Sequence, residues 1–364
     1  MEDAPKVVSI FGCQLFRWLL ADQPQANIAL SPFSLVSVVS LAMAGTQRST
    51  EREMALALVA KVPQFHKSMR RILIFQGGTP GPDEVETFRM ANRIYVDQRL
   101  PLLDGFRKIG ERVYRITVSS ANFAERPDTE RLSIDAWVKA VTGIGNVVPP
   151  ICVGPATRIL LLSVAYVNCK WKQPFLRATL QRKPFGEEQT VEMMTNVGIY
   201  GYVCLNDVGL RAVDIPFSIE SCSLTIIVPV RPFQEFYKIL TPELLERVVE
   251  GVKAKRKLRL EIPKFAVSYD VELSRFLQEI GMREAFTAQA NFRTVTTAAD
   301  AYLSAIIHKV EFCASEGCGP TNLEATEAAA LPELEFTVDR PFMFVFRRYD
   351  YIALMGCVQR IPEN

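Results

Sequence analysis

Residues 307–342 read IHKVEFCASEGCGPTNLEATEAAALPELEFTVDRPF, and how this stretch is understood decides the fold. Apolar, strand-like runs flank a segment, 316–340, that ends just before Pro341 and Phe342. The middle of that segment is small and acidic: Ala325, Thr326, Glu327, Ala328, Ala329 and Ala330 offer no large side chain to anchor it. A long, poorly anchored loop in an otherwise compact chain is either functional or disordered. The segments around it decide which.

With 49% hydrophobic and 23% charged residues, the 364-residue chain has an ordinary globular makeup and can bury a large core. Length alone allows two or three domains. No repeat and no long linker divides the sequence, so a single domain over 1–364 is expected. A net charge of +2 gives no electrostatic case for nucleic acid or a membrane surface. The longest apolar run, 159–167, is about half of what a bilayer needs. At the start, Phe11, Leu15, Trp18 and Leu19 recur at helical spacing and Gln14 and Arg17 interrupt them, which is unlike a secretory leader. There is no Asn-x-Ser/Thr sequon, and eight scattered cysteines form no close-spaced framework. Reduced thiols and a cytoplasmic site are expected, with secretion as the alternative.

Histidine occurs only as His66 and His308, which leaves no His-based zinc site and few candidates for a general base. HExxH, GxSxG, P-loop and GxGxxG patterns are all absent. No metal and no cofactor are expected, and any chemistry of this protein is not obviously its own.

Helices open the chain. Ser31-Pro32 is an N-cap followed by proline at the first helical position, with Leu35, Val38, Val39 and Ala42 as an apolar face closed by Gly45. Thr50 and Glu53 have capping-box spacing ahead of Met54 and Ala57. The glycines and prolines of 77–82 mark a surface loop. A strand is predicted over 88–96, and helices over 104–113 and around Ile134, Trp137, Val138 and Val141. The run 159–167 reads as a strand buried on both faces, and 221–230 as a second. Leu258, Leu260 and Ile262 alternate with charges as in a half-buried strand. A helix is predicted over 270–280, stopped by Gly281. Strands follow at 302–314, 336–338, 343–346 and 351–358. Helices first and strands interleaved or late predict an α+β fold.

Taken in order, these segments resemble the serpins along essentially the whole chain. Leu30-Ser31-Pro32-Phe33-Ser34 with Ala44-Gly45-Thr46 is similar to the family's shutter helix, and Ala91-Asn92-Arg93-Ile94-Tyr95-Val96-Asp97 to one of its strands. Ser163-Val164-Ala165-Tyr166-Val167 leads to Trp171 and Pro174-Phe175. Ile262-Pro263-Lys264-Phe265, Gly281-Met282, Ala285-Phe286 and Ala290-Asn291-Phe292 follow, and Ile307-His308-Lys309-Val310 and Asp339-Arg340-Pro341-Phe342 bracket the loop. The resemblance implies a serpin fold of three β-sheets and eight or nine helices, with 316–340 as an exposed reactive-centre loop. Such a loop is cut by a target protease and then inserts into the central sheet, trapping the acyl-enzyme; the resemblance thus implies that the chain is not an enzyme, the nucleophile belonging to its partner. It also implies structural shutter and breach roles for Ser31, Ser34, Ser163, His308 and Trp171. The family's asparagine partner of the shutter histidine is here Ser163, and its glycine before the tryptophan is Cys169.

Counted from His308 as the resemblance suggests, the hinge is expected at Glu316, Gly317, Gly319, Pro320 and Thr321. Counted back from Pro341 by the spacing of close relatives, the reactive bond is expected near Ala330–Leu331, with Ala329 and Leu331 as the other candidates for the residue before the cut. An inserting strand buries alternate residues, here Gly319, Thr321, Leu323 and Ala325. Pro320, Asn322, Leu323 and Glu324 depart from the usual hinge composition. The implied function is protease inhibition by a monomer acting as a suicide substrate. Its partner would be a serine protease with a small or apolar pocket, or alternatively a cysteine protease. The other reading is a non-inhibitory binding or scaffold protein on the same fold. The run Lys253, Lys255, Arg256, Lys257 and Arg259 reads as a solvated strand edge, with a polyanion site as the alternative. The segment 61–82 leaves little room for the helix that carries heparin binding in some serpins, so activation by a glycosaminoglycan is not expected.

Overall fold

In the computed structural model, residues 4–75, 87–175, 180–315, 332–349 and 351–362 are described. Five strands form a central sheet: β2 (Thr87–Asp97), β3 (Thr117–Ala121), β4 (Ile159–Asn168), β10 (Phe265–Glu272) and β11 (Leu303–Ala314), in the order β10-β11-β4-β2-β3. The β11–β4 pair is parallel, with His308 opposite Ser163, whereas β4–β2 and β10–β11 are antiparallel.

A second, nine-stranded sheet contains β1 (Ile28–Leu30), β5 (Gln181–Phe185), β6 (Gln189–Leu205), β7 (Leu210–Pro216), β8 (Cys222–Pro229), β9 (Lys255–Pro263), β12 (Leu334–Thr337), β13 (Phe342–Arg348) and β14 (Tyr351–Val358). The 17-residue β6 pairs with β5, β7 and β9, so two of the three expected sheets share it and are continuous in hydrogen bonding.

The helix α2 (Pro32–Ala44) lies between the sheets, and α6 (Pro127–Thr142) covers the other face of the central one. This sandwiching explains the unbroken apolar run of β4. Leu160, Leu162 and Val164 join the core under α6, while Ile159, Leu161, Ala165 and Val167 join the main core. Ser31 caps α2 as the sequence predicts, accepting the Ser34 N–H, and Pro32 begins the helix. The expected single apolar face of α2 does not describe it, because its residues are buried all round. A helix enclosed by two sheets has no solvent side.

Three local expectations are corrected. Thr50 and Glu53 form no capping box, since α3 (Arg48–Ala57) begins upstream of them. Instead Thr50 Oγ1 accepts the Asn291 N–H, and Glu53 accepts the N–H groups of Arg283 and Glu284. The predicted helix over 270–280 is only α9 (Ser274–Glu279), because 270–272 continue β10 in register with β11. The segment after Lys61 does hold a helix, α4 (Val62–Phe75), whose Lys67, Arg70 and Arg71 are exposed. The predicted loop over 77–82 lies outside the described residues. Among those described, no helix is long and apolar enough to cross a membrane, and no three metal-ligating side chains cluster.

Candidate functional site

The seam between β4 and β11 is where the predicted shutter residues meet. His308 and Ser163 face each other across it, on the side toward α2, and both are fully buried. The Ser31 backbone N–H donates to His308 Nε2 at 2.9 Å, so that nitrogen carries no proton. The proton therefore sits on Nδ1, which lies 2.9 Å from the Ser163 carbonyl oxygen and 3.0 Å from its hydroxyl.

From there the donors run in one direction. The Ser163 hydroxyl is 2.8 Å from Ser34 Oγ, and Ser34 donates to Asn92 Oδ1 at 2.6 Å. Because Ser34 spends its proton on Asn92, Ser163 is the donor to Ser34. Ser31 Oγ separately donates to the Ala353 carbonyl at 2.7 Å, tying α2 to β14. The network thus links α2, β2, β4, β11 and β14 through the apolar interior. Ser163 in place of the family's asparagine keeps the hydrogen bond to the histidine, from a shorter side chain on the same strand row.

Burial pulls the His308 pKa from its ordinary 6.5 down to about 4, with the hydrogen bond to Ser163 opposing. A neutral imidazole with both nitrogens committed has neither the access nor the free lone pair of a general base. Its hydrogen bonds join β11 to β4 and to the start of α2. Ser31, Ser34 and Ser163 are equally inaccessible as nucleophiles.

Trp171 closes the upper end of the seam. Its ring stacks on Phe217 with centroids 4.6 Å apart and planes 12° from parallel. Phe217 in turn meets Phe346, which meets Phe88. Trp171 Nε1–H donates to the Ser315 carbonyl at 2.6 Å, immediately after β11 ends. Trp171→Ala is expected to lower the unfolding free energy by about 3–5 kcal/mol through the cavity it leaves. Trp171→Phe retains the stacking and is expected to cost only about 1–3 kcal/mol, through the Ser315 carbonyl left unpaired. Equilibrium urea unfolding of the two variants separates the packing from the hydrogen bond.

Sequence reasoning thus names five residues that the structure brings to this seam. It missed the roles of Asn92, Phe217, Ser315 and Ala353. Asn92 carried a signal, being a polar residue on the core-facing side of β2 between the buried Ile94 and Phe88 positions. The hinge residues Glu316, Gly317, Gly319, Pro320 and Thr321 and the bond Ala330–Leu331 lie outside the described residues.

A family model described as Serpin (serine protease inhibitor) matches residues 6–360. The chain belongs to the serpin family. Among its relatives, the leukocyte elastase inhibitor of Bos taurus is 26% identical over 95% of this chain and 96% of its own length. Plasminogen activator inhibitor 1 of Bos taurus is 26% identical over 94% of this chain and 89% of its own. Among solved structures, uncleaved ovalbumin superimposes with a TM-score of 0.89 at 23% identity, covering 98% of this serpin and 99% of that chain. Serpin48 of Tenebrio molitor gives 0.84 at 23% identity with both chains fully covered. These structural likenesses bear on the fold, which is the serpin fold.

Proposed function

We propose that this serpin inhibits a serine protease with a small or apolar specificity pocket, acting as a suicide substrate cut between Ala330 and Leu331. The observation that carries this reading is the parallel β4–β11 seam, with the bait segment starting at the end of β11. A segment that turns back after β11 and enters the seam runs antiparallel to both neighbours. One parallel ladder is then exchanged for two antiparallel ones, which are more stable per residue, and the gain drives insertion. The names of the two mammalian relatives, an elastase inhibitor and a plasminogen activator inhibitor, support inhibition as the activity.

In the proposed reaction, the protease serine attacks the Ala330 carbonyl carbon. The Ala330–Leu331 bond breaks, the Leu331 amine leaves with the proton delivered by the protease histidine, and an ester joins Ala330 to the enzyme. The serpin supplies no catalytic group. It supplies a strand whose insertion outruns hydrolysis of that ester, and the shutter network holds the seam shut until then. Alanine before the cut fills a shallow pocket and offers no charge for a trypsin-like one.

Pro320 favours a second reading, a serpin that is only a substrate or a scaffold. Proline has no N–H for the new ladder and is poorly accepted inside a sheet. Incubation with elastase-like and chymotrypsin-like proteases, followed by denaturing gels, separates the two. The expected result is a covalent complex stable to denaturant, with a released fragment whose mass begins at Leu331. The clipped serpin should melt well above the intact one. A clipped band alone, with an unshifted melt, would establish the second reading.

A further inference from the structure

β12, just downstream of the bait, and its sheet neighbours β9 and β6 carry a surface that none of the roles above uses, and β9 lies inside this sheet and not at the edge expected from its charges. Along β9, Leu258, Leu260 and Ile262 are buried, while Lys255, Lys257, Arg259 and Glu261 lie on the opposite face. Beside them on β6, Ile199 is opposite Lys257, Val197 opposite Arg259, and Gly201 opposite Lys255. On the other side, Glu335 of β12 is opposite Arg259, and the Glu333 N–H donates to the Lys257 carbonyl.

Two branched apolar side chains stand out on this face: Ile199 is 60% exposed and Val197 is 36% exposed. Their immediate neighbours along β6, Gly198 and Tyr200, are buried, so the pleat aims Val197 and Ile199 outward together. Charges are distributed unevenly around them. Glu333 and Glu335 lie along β12, and Glu261 is engaged by Lys183 at 2.7 Å and Arg259 at 3.3 Å. At the other end, among the described residues, Lys255 has no ion-pair partner and is exposed, while Arg256, opposite the buried Tyr200, belongs to the other face of the strand.

We propose that this face of β6, β9 and β12 docks the body of the target protease, on an apolar patch of that enzyme beside an acidic group that meets Lys255. The inference rests on the bait reading given above, and position argues for the occupant. Leu331 precedes Leu334 by three residues, so the chain can hold it no farther than about 10 Å away, and two strands of lateral spacing from β12 to β6 add about 10 Å more. A protease domain of about 200 residues has a radius of gyration of about 16 Å. An enzyme seated on the Ala330–Leu331 bond therefore has its own surface over this face. A polyanion fits less well, because Glu333 and Glu335 interrupt the cations along the strands.

The proposal concerns encounter, so its effect falls on the association rate. The test uses the full-length protein and whichever serine protease is found to cut after Ala330, comparing wild type with Ile199→Ser, Lys255→Glu and the double variant. A glutamyl endopeptidase, which can clip the same loop after Glu324 or Glu327 by an unrelated approach, reports on loop access. The expected result is a tenfold or larger fall in the association rate constant for the double variant. Its cleavage site, melting temperature and rate of clipping by the endopeptidase should be unchanged. Equal association rates would overturn the docking surface while leaving the bait reading intact. A parallel fall in endopeptidase clipping would overturn it too, by placing the effect in the loop. If no protease cuts after Ala330, the bait reading fails before the docking test begins.

Discussion

Replacing His308 by alanine is expected to lower the unfolding free energy at pH 7 by about 3–5 kcal/mol, by leaving a cavity and unpaired polar groups in the seam. The Ser31 N–H loses its acceptor and Ser163 loses its donor, both at fully buried positions. The wild-type dependence on pH follows from the same residue. In the folded protein His308 takes up a proton only near pH 4, whereas in the unfolded chain it does so near 6.5. Between these values the unfolded state binds more protons, so stability rises with pH. The contribution is complete above 6.5, falls through the window and is gone below about 4. The full shift corresponds to about 3 kcal/mol, of which about 2 kcal/mol is lost between pH 7 and 5. Urea unfolding of wild type and His308→Gln at those two pH values should therefore show the wild type losing about 2 kcal/mol more than the variant. Identical losses would mean that the imidazole is already solvated in the folded protein.

The same seam shows what could be read from the chain and what could not. Ser31 with Pro32, and the continuous run of β4, are local signals whose meaning does not depend on distant partners. A cap and a doubly buried strand look alike in any fold. Thr50 and Glu53 mimic a local motif with equal fidelity, yet their partners at 283–291 lie more than two hundred residues away, and spacing cannot reveal that competition. The failure at 270–272 has a related cause. Alternation over a few residues is too short to separate the end of a strand from the start of a helix, and the decision is made by pairing with β11. That Ser31, Ser34, Ser163 and His308 meet was legible through resemblance. The donor direction was not, because it depends on the Ser31 N–H approaching Nε2, a contact between positions 277 residues apart.

Substituting Thr321 by arginine is expected to abolish the covalent complex and turn the serpin into a plain substrate, with the cut still at Ala330–Leu331. In the proposed insertion register, residue 321 enters the seam on the same side as His308 and Ser163, where the described neighbours are apolar or already hydrogen-bonded. Burying an unpaired guanidinium there costs several kcal/mol. Since each 1.36 kcal/mol slows a step tenfold, insertion should slow by about a hundredfold or more. Deacylation proceeds at the protease's own rate and wins. Arginine at 322, the neighbouring outward position, should leave far more complex, because the alternation of a strand points its side chain away from that core. Pro320→Ala tests the opposite sense. Restoring an N–H to the new ladder should raise the fraction of encounters that end in complex, read as fewer moles of serpin consumed per mole of protease inactivated. If 321 and 322 behave alike, the register is wrong. If Pro320→Ala changes nothing, the proline is not what limits insertion.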